Sequence, residues 1–463
     1  MKQNDSISRR EILGTAPIGR LMVKFAVPSI IAMLVSALYN IVDQIFIGQA
    51  VGTLGNAATN IAFPLAMSCT SIGLLFGIGG AANFNLHMGK REYEKAPFFI
   101  GNASTMLCVC GLLLALVTEL FLTPMLKAFG SPEEVLPYAQ EYVRITAVGF
   151  PFLILTIGGS HIIRADGSPM MTMICSLSGA IINTVLDALF VFGFHWGMAG
   201  AAAATVIGQI FSGTLVINYI RRYKTVSLKR IHFIPKAETV LQTASLGISS
   251  FINQLAMMTV QIVLNNSLKY YGGLSVYGSS IPIACAGIVT KVNQVFFSVV
   301  IGIGQGSQPI ESFNYGARKY GRVRKTYLLA LGAAAAVCCF SFLMFQIFPR
   351  KILTLFGNGT EEYFTFGVRF FRIFLFCTWA NCLQPVSAQF FSSIGKPLKG
   401  MFISLTRQIL FLLPIILILP IFIGVDGIVF AGPVADLMAA CVGAVLVIFE
   451  FKDMEKLEKK LNG

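Results

Sequence analysis

The sequence predicts an all-α polytopic membrane protein, with about twelve transmembrane helices in two pseudo-symmetric six-helix bundles around a central cleft. Three observations carry that prediction. Of 463 residues, 55% are hydrophobic and only 12% are charged, about half the charged share of an average soluble protein; the mean hydropathy is +0.74. Apolar stretches of about 20 residues recur along the chain, each long enough to cross a bilayer as a helix. They are continuous rather than alternating, which excludes a transmembrane β-barrel. Finally, the second half of the chain echoes the first.

The first six spans fall near 25–48, 58–86, 98–127, 139–163, 169–194 and 198–220. The second six fall near 239–269, 276–305, 325–357, 363–393, 398–423 and 427–450. Lys2, Arg9, Arg10, Arg20 and Lys24 precede the first span, and Lys90, Arg91 and Lys95 follow the second. Arg221, Arg222, Lys224, Lys229, Arg230 and Lys236 follow the sixth, and Arg318, Lys319, Arg322, Arg324 and Lys325 the eighth. Lys396 and Lys399 follow the tenth, and Lys452, Lys456, Lys459 and Lys460 the last. The alternate loops are acidic or neutral, as at Pro132, Glu133 and Glu134 or Glu361 and Glu362. This positive-inside pattern places both termini in the cytoplasm. The net charge of +14 is therefore a topological signal that faces membrane lipids, not nucleic acid. The polar, basic first 24 residues and the long apolar run after them do not read as a cleavable signal peptide.

RRYKTVSLKRIHFIPKAE (221–238) is the longest polar interruption. It divides the chain into a cytoplasmic segment (1–24), an N-lobe (25–220), this linker, a C-lobe (239–450) and a cytoplasmic tail (451–463). GIGGAA from Gly77 is answered by GIGQGS from Gly302, and MGKREY from Met88 by YGARKY from Tyr315. DGSP from Asp166 is answered by IGKP from Ile394, and AGAAAA from Ala199 by DGIVFA from Asp426. An even number of spans per half inserts both halves in one orientation, so their pseudo-twofold runs along the membrane normal. One chain then forms a whole pathway, and a monomer is expected.

Several apparent motifs are set aside. The ten cysteines lie almost wholly in spans without CxxC spacing and read as packing residues. His87, His161, His195 and His232 lack metal-ligand spacing and read as solvated loop or span-end residues. GIGQG follows no strand and reads as close helix packing. With no GxxxxGK[ST] and no catalytic constellation, neither an ATP-driven pump nor an enzyme is expected, and no cofactor is implied.

Two aspartates stand out. Asp43 in PSIIAMLVSALYNIVDQIFIG and Asp187 in MMTMICSLSGAIINTVLDALFVFG each interrupt an apolar span, at about 2.5–3.5 kcal/mol on insertion scales. Each lies about 18 residues past the cytoplasmic start of its span, which puts both at one depth in the outer half of the membrane. Thr205 in the sixth span is near that depth. Asn183 shares a helix face with Asp187, and Tyr39 with Asp43. Two carboxylates, an amide oxygen and a hydroxyl at one level form a hard-oxygen cage for Na⁺; desolvated and mutually repelling, the same pair could carry a proton instead. Lys291, beside Asn293 and Gln294 in the eighth span, needs a water-filled cavity or a partner, for which Asp436 is the candidate. Met33, Met67, Met257 and Met258 are candidates to line a forgiving apolar cavity.

Four stretches carry a specific resemblance: Asp43 to Gly48 (DQIFIG), Asn183 to Asp187 (NTVLD), Gly200 to Thr205 (GAAAAT) and GIGQGSQPIESFNYGARKYGRVRK from Gly302 to Lys325. Over nearly its whole length the chain resembles the multidrug and toxic compound extrusion (MATE) family, and QGSQP resembles its staphylococcal-type bacterial branch. That resemblance implies a multi-pass protein of a prokaryotic cytoplasmic (inner) membrane, with Tyr39, Asp43, Asn183, Asp187 and Thr205 at cation-coupling positions. It also implies that Pro28 is a hinge of the first helix. Many relatives place a glutamate in the seventh span; here SSFINQLAMMTVQIVLNN offers only Gln254 and Gln261 among its glutamines and no carboxylate, which favours an N-lobe site. The function expected is secondary antiport, exporting hydrophobic and cationic organic compounds against H⁺ or Na⁺. The alternative is a flippase for a lipid-linked cell-wall precursor, which requires a strongly cationic cavity.

Overall fold

The computed structural model describes residues 12–129, 131, 133–278, 280–355 and 360–462; Lys2, Arg9, Arg10 and Pro132 lie outside them. Among the described residues twelve helices are long and apolar enough to cross a membrane. They are α1 (Ile18–Gln49), α2 (Ala57–Gly89), α3 (Ala96–Leu120), α4 (Leu136–Ala165), α5 (Pro169–Gly193) and α6 (Gly197–Arg221). The second half supplies α7 (Ala237–Gly273), α8 (Ile281–Gly316), α9 (Tyr320–Ile347), α10 (Glu361–Ser393), α11 (Pro397–Ile423) and α12 (Val425–Lys460).

Helix pairing repeats between the halves. In the first, α2 packs on α3 and α4, α4 on α6, α5 on α6, and α1 on α5. In the second, α8 packs on α9 and α10, α10 on α12, α11 on α12, and α7 on α11. The halves meet through α1 on α8 and α2 on α7, two contacts that exchange under the pseudo-twofold.

Glycine sets how closely these pairs approach. A Cβ on Gly79 of α2 would lie 1.8 Å from the Thr243 carbonyl oxygen of α7, and one on Gly247 of α7 would lie 1.8 Å from the Leu75 carbonyl oxygen of α2. Gly302 and Gly306 of α8 similarly abut the Cα atoms of Ile30 and Ala26, at 2.7 and 2.5 Å from a Cβ. GIGQG is thus a helix-packing run. The segment before α1, the last turns of α12 and the basic α8–α9 connection meet at one end of the bundle, the basic end, where Arg324 binds Glu455 and Glu458. There Asn314, Lys319 and Arg322 donate to the carbonyls of Leu13 (2.9 Å), Gly14 (2.8 Å) and Ala16 (2.6 Å), tying the entry to α1 onto α8 and α9.

Several expected boundaries shift, four of them for a clear local reason. The third span ends at Leu120, and a short helix Leu122–Ala128 follows, because Pro124 has no N–H for the Leu120 carbonyl. The ninth ends at Ile347 before the short helix Pro349–Leu355 in the same way. The eighth continues through the polar run QGSQPIESFN to Gly316, since these residues are buried between helices and not at an interface. The tenth is broken between Phe374 and Leu383 by a 3₁₀ turn, Thr378–Ala380. The α6–α7 connection is docked on α3: Asn102 donates to the His232 carbonyl (2.8 Å) and accepts from the Lys236 N–H (2.7 Å).

Candidate functional site

Toward the end of the bundle opposite the basic loops, α1, α5, α6 and α4 enclose a polar chamber. Asp187 is 1% exposed, Asn183 3% and Thr205 5%, whereas Tyr39 and Asp43 are half-buried. Asn183 Nδ2 donates to Thr205 Oγ1 (3.1 Å), which fixes the amide with its oxygen free. The Asp43 and Asp187 carboxyls interact, and Tyr39 reaches both aspartates and Thr205. Asp43 Oδ1, Asn183 Oδ1 and both Asp187 oxygens are buried without a hydrogen-bond partner. The five residues read from the sequence are therefore brought together. Tyr142 of α4 joins them, close to Tyr39, Asp43 and Asp187; nothing in its sequence context marked it, since a tyrosine near a span end reads as an interfacial anchor.

The local backbone has a reason to be irregular here. Asp187 is the last α-helical residue of α5, and Ala188–Gly193 continues as a π-helix. Such wider turns interrupt α-helices most often at functional positions. Buried polar oxygens without donors are costly, and two carboxylates side by side more so. The arrangement is one that a bound cation would complete.

Other expectations are met differently. Asp436, 2% exposed, pairs with Arg407 of α11 (Nε–Oδ1 2.6 Å), so the carboxylate considered for Lys291 is held by another cation. Arg407 lies within a π-helical stretch, Thr406–Leu412, and the apolar run around it masks it in the sequence. Lys291 and Gln294 are exposed on α8, and Asn293 is half-buried. Pro28 is buried within an unbroken α1. His161 is not a solvated residue: it is 3% exposed, 3.4 Å from Gln308 Oε1 of α8 and 3.3 Å from Arg164 Nη1. Between the halves, Gln305 of α8 contacts Met33 of α1 (3.7 Å), and Gln254 of α7 contacts Met67 of α2 (3.6 Å). Two of the methionines therefore lie where the halves meet.

Two six-helix bundles of like topology, facing across a cleft with a polar chamber in one of them, define a polytopic transporter architecture. The MatE family model matches the chain twice, over residues 28–189 and 249–418, once in each half. The protein belongs to the MatE family. It is similar to the multidrug export protein MepA of Staphylococcus haemolyticus, at 24% identity over 95% of both chains. MepA of Staphylococcus aureus (strain MSSA476) is 25% identical, again over 95% of both. A solved outward-facing multidrug resistance MATE family transporter of the MOP superfamily superposes with a TM-score of 0.89 at 19% identity, covering 96% of this chain and 98% of that one. A MATE protein in complex with MaL6 gives 0.89 at 20% identity, with 96% and 99% covered.

Proposed function

We propose that the protein is a secondary multidrug antiporter, which exports hydrophobic and cationic organic compounds across a prokaryotic cytoplasmic membrane in exchange for H⁺ or Na⁺. The basic end faces the cytoplasm, by the positive-inside pattern. The observation that carries this reading is the cluster of unpartnered oxygens on Asp43, Asn183 and Asp187, with no basic side chain paired to either carboxylate among the described residues. The MepA relatives, called multidrug export proteins, support the substrate class.

In this mechanism Asp43 and Asp187 take the cation from the outer side, with Tyr39, Asn183 and Thr205 orienting them. Neutralising the pair removes the repulsion between α1 and α5. That change repacks α1, for which Pro28, lacking an N–H to bond the Lys24 carbonyl, is the soft point. Substrate held in the cleft beside Met33 and Met67 is then released, and the halves rock about the glycine contacts to reset. One chain suffices. A flippase for anionic lipid precursors would need uncompensated cations in the cleft, whereas Arg407 is neutralised by Asp436.

The test is ethidium efflux from proteoliposomes with a pH gradient or a Na⁺ gradient imposed separately. Efflux driven by one gradient and lost in Asp43→Asn, at equal reconstitution, is the expected result. Equal efflux in the variant overturns the mechanism.

A further inference from the structure

Among the described residues, Glu311 is the one carboxylate besides Asp187 that is buried with neither oxygen partnered. It is 1% exposed and lies on α8 about a turn from its basic end, in the other half of the molecule from the chamber above. Ser307 on its own helix and Ser393 on α10 flank it. Both hydroxyls also lie against carbonyls of their own helices, Ser307 at 2.9 Å from that of Gly304 and Ser393 at 2.8 Å from that of Gln389, so the carboxylate competes with the backbone for their protons. An ionised Glu311 is thus a charge held out of water with no ion pair, and one added proton removes that cost.

The titratable and charged groups around this stretch of α8 do not supply that compensation. Tyr327 of α9 shares its hydroxyl with Ser387 (2.7 Å). Arg164 and Gln308 both contact His161 Nδ1 (3.3 and 3.4 Å), and no ion pair joins Arg164 to Glu311 among the described residues. His87 of α2 is taken by the Asn83 carbonyl (2.8 Å), and Arg322 of α9 by Asn314 and the Ala16 carbonyl. Lys396 and Lys399 are held by Glu450 of α12.

We propose that Glu311 is a second proton-carrying group of this transporter, placed at the cytoplasmic end of the C-lobe and separate from the Asp43–Asp187 chamber. The step is a single protonation, in which Glu311 takes a proton from water and returns it to water, with no other bond made or broken. The carrier role rests on the antiporter reading; the protonation itself does not.

The experiment has two arms. In lipid nanodiscs, infrared difference spectra between alkaline and acidic pH are recorded for wild type, Glu311→Gln, Glu311→Asp and the Asp43→Asn/Asp187→Asn double variant. A carboxylic-acid C=O band that grows with acid should persist in the double variant, vanish in Glu311→Gln and shift in Glu311→Asp. A band set unchanged in Glu311→Gln, or one brought about by Na⁺ instead of acid, overturns the proposal. In proteoliposomes, the protons moved per substrate, read from the opposing gradient that just stops efflux, should fall by one in Glu311→Gln and recover in Glu311→Asp. An unchanged ratio overturns the carrier role with the antiporter reading intact. Wild-type efflux indifferent to a pH gradient overturns proton antiport itself.

Discussion

In the first half of the molecule, two carboxylates from α1 and α5 face each other with no positive side chain between them, and their neighbours are a tyrosine pair, an amide and a hydroxyl. In the second half, the corresponding helices are packed differently. Leu264 and Leu268 of α7, Ile416 of α11 and Ile428 of α12 are buried in a core with Phe345, Phe366, Phe370 and Phe371. The carboxylate nearest in kind, Asp436, carries its own cation, Arg407. At the basic end both halves satisfy the charge that pins their loop, with its sign reversed. The α4–α5 loop is pinned to α6 by Asp166, which accepts from Tyr219 (2.6 Å) and from the Lys224 (2.9 Å) and Thr225 (2.7 Å) N–H groups. The matching α10–α11 loop is pinned to α12 by Lys396 on Glu450. Away from the basic end the C-lobe pairs its buried carboxylate internally, whereas the N-lobe leaves Asp43 and Asp187 without a cation; the unpaired carboxylate of the C-lobe, Glu311, lies toward the basic end instead. The repeat therefore conserves architecture while placing unpaired carboxylates at opposite ends of its two lobes.

The comparison breaks most visibly if the unpaired carboxylates are neutralised. Asp187→Asn keeps the size and hydrogen-bonding reach of the side chain but removes the attraction for a cation; efflux should fall to background while the protein remains folded, checked by ethidium efflux and gel filtration. In the C-lobe the prediction is opposite in kind. Arg407→Met strands Asp436 as a buried, unpaired charge and should lower stability by about 3–5 kcal/mol. The double variant Arg407→Met/Asp436→Leu should recover most of that loss in thermal unfolding. If Asp436 drives coupling instead of packing, the double variant will be stable and inactive.

Smaller effects probe what joins the halves. Gly247→Ala forces α2 and α7 apart at the Leu75 carbonyl, for about 1–3 kcal/mol; spin labels on the two helices should report a longer distance, with efflux reduced severalfold. The smallest effect concerns Asp166, which lies in a loop. Burial pushes its carboxyl above the ordinary 3.8, against the pull of hydrogen bonds from Thr225, Tyr219 and Lys224. The native state then binds more protons than the unfolded one just above pH 3.8, so this group's contribution to stability falls as pH rises through that window. Asp166→Asn should flatten that slope and, by weakening the accepted bonds, cost about 1 kcal/mol at neutral pH. Thermal unfolding against pH checks both parts.

Much of this was legible in the residues. Asp43, Asn183, Asp187 and Thr205 could be placed at one depth because helical rise converts residue count into height. Arg407, Tyr142, Glu311 and the burial of His161 were not legible in the same way. Arg407 is a lone cation inside an apolar run, and Glu311 sits in a polar stretch that resembles a span end. Their meaning depends on which helix covers them. The pairing of Asp436 with Arg407 instead of Lys291 turned on helix rotation, which hydropathy does not encode.

Composition, continuous apolar runs, alternating basic loops and an internal echo determined by themselves that this chain spans a membrane as two like bundles, because lipid leaves the backbone few ways to satisfy its hydrogen bonds. Only the tertiary structure decided which buried charges are compensated. Compensation depends on atoms a few ångströms apart on different helices, and that distance is set by glycine-mediated packing and helix rotation, not by position along the chain.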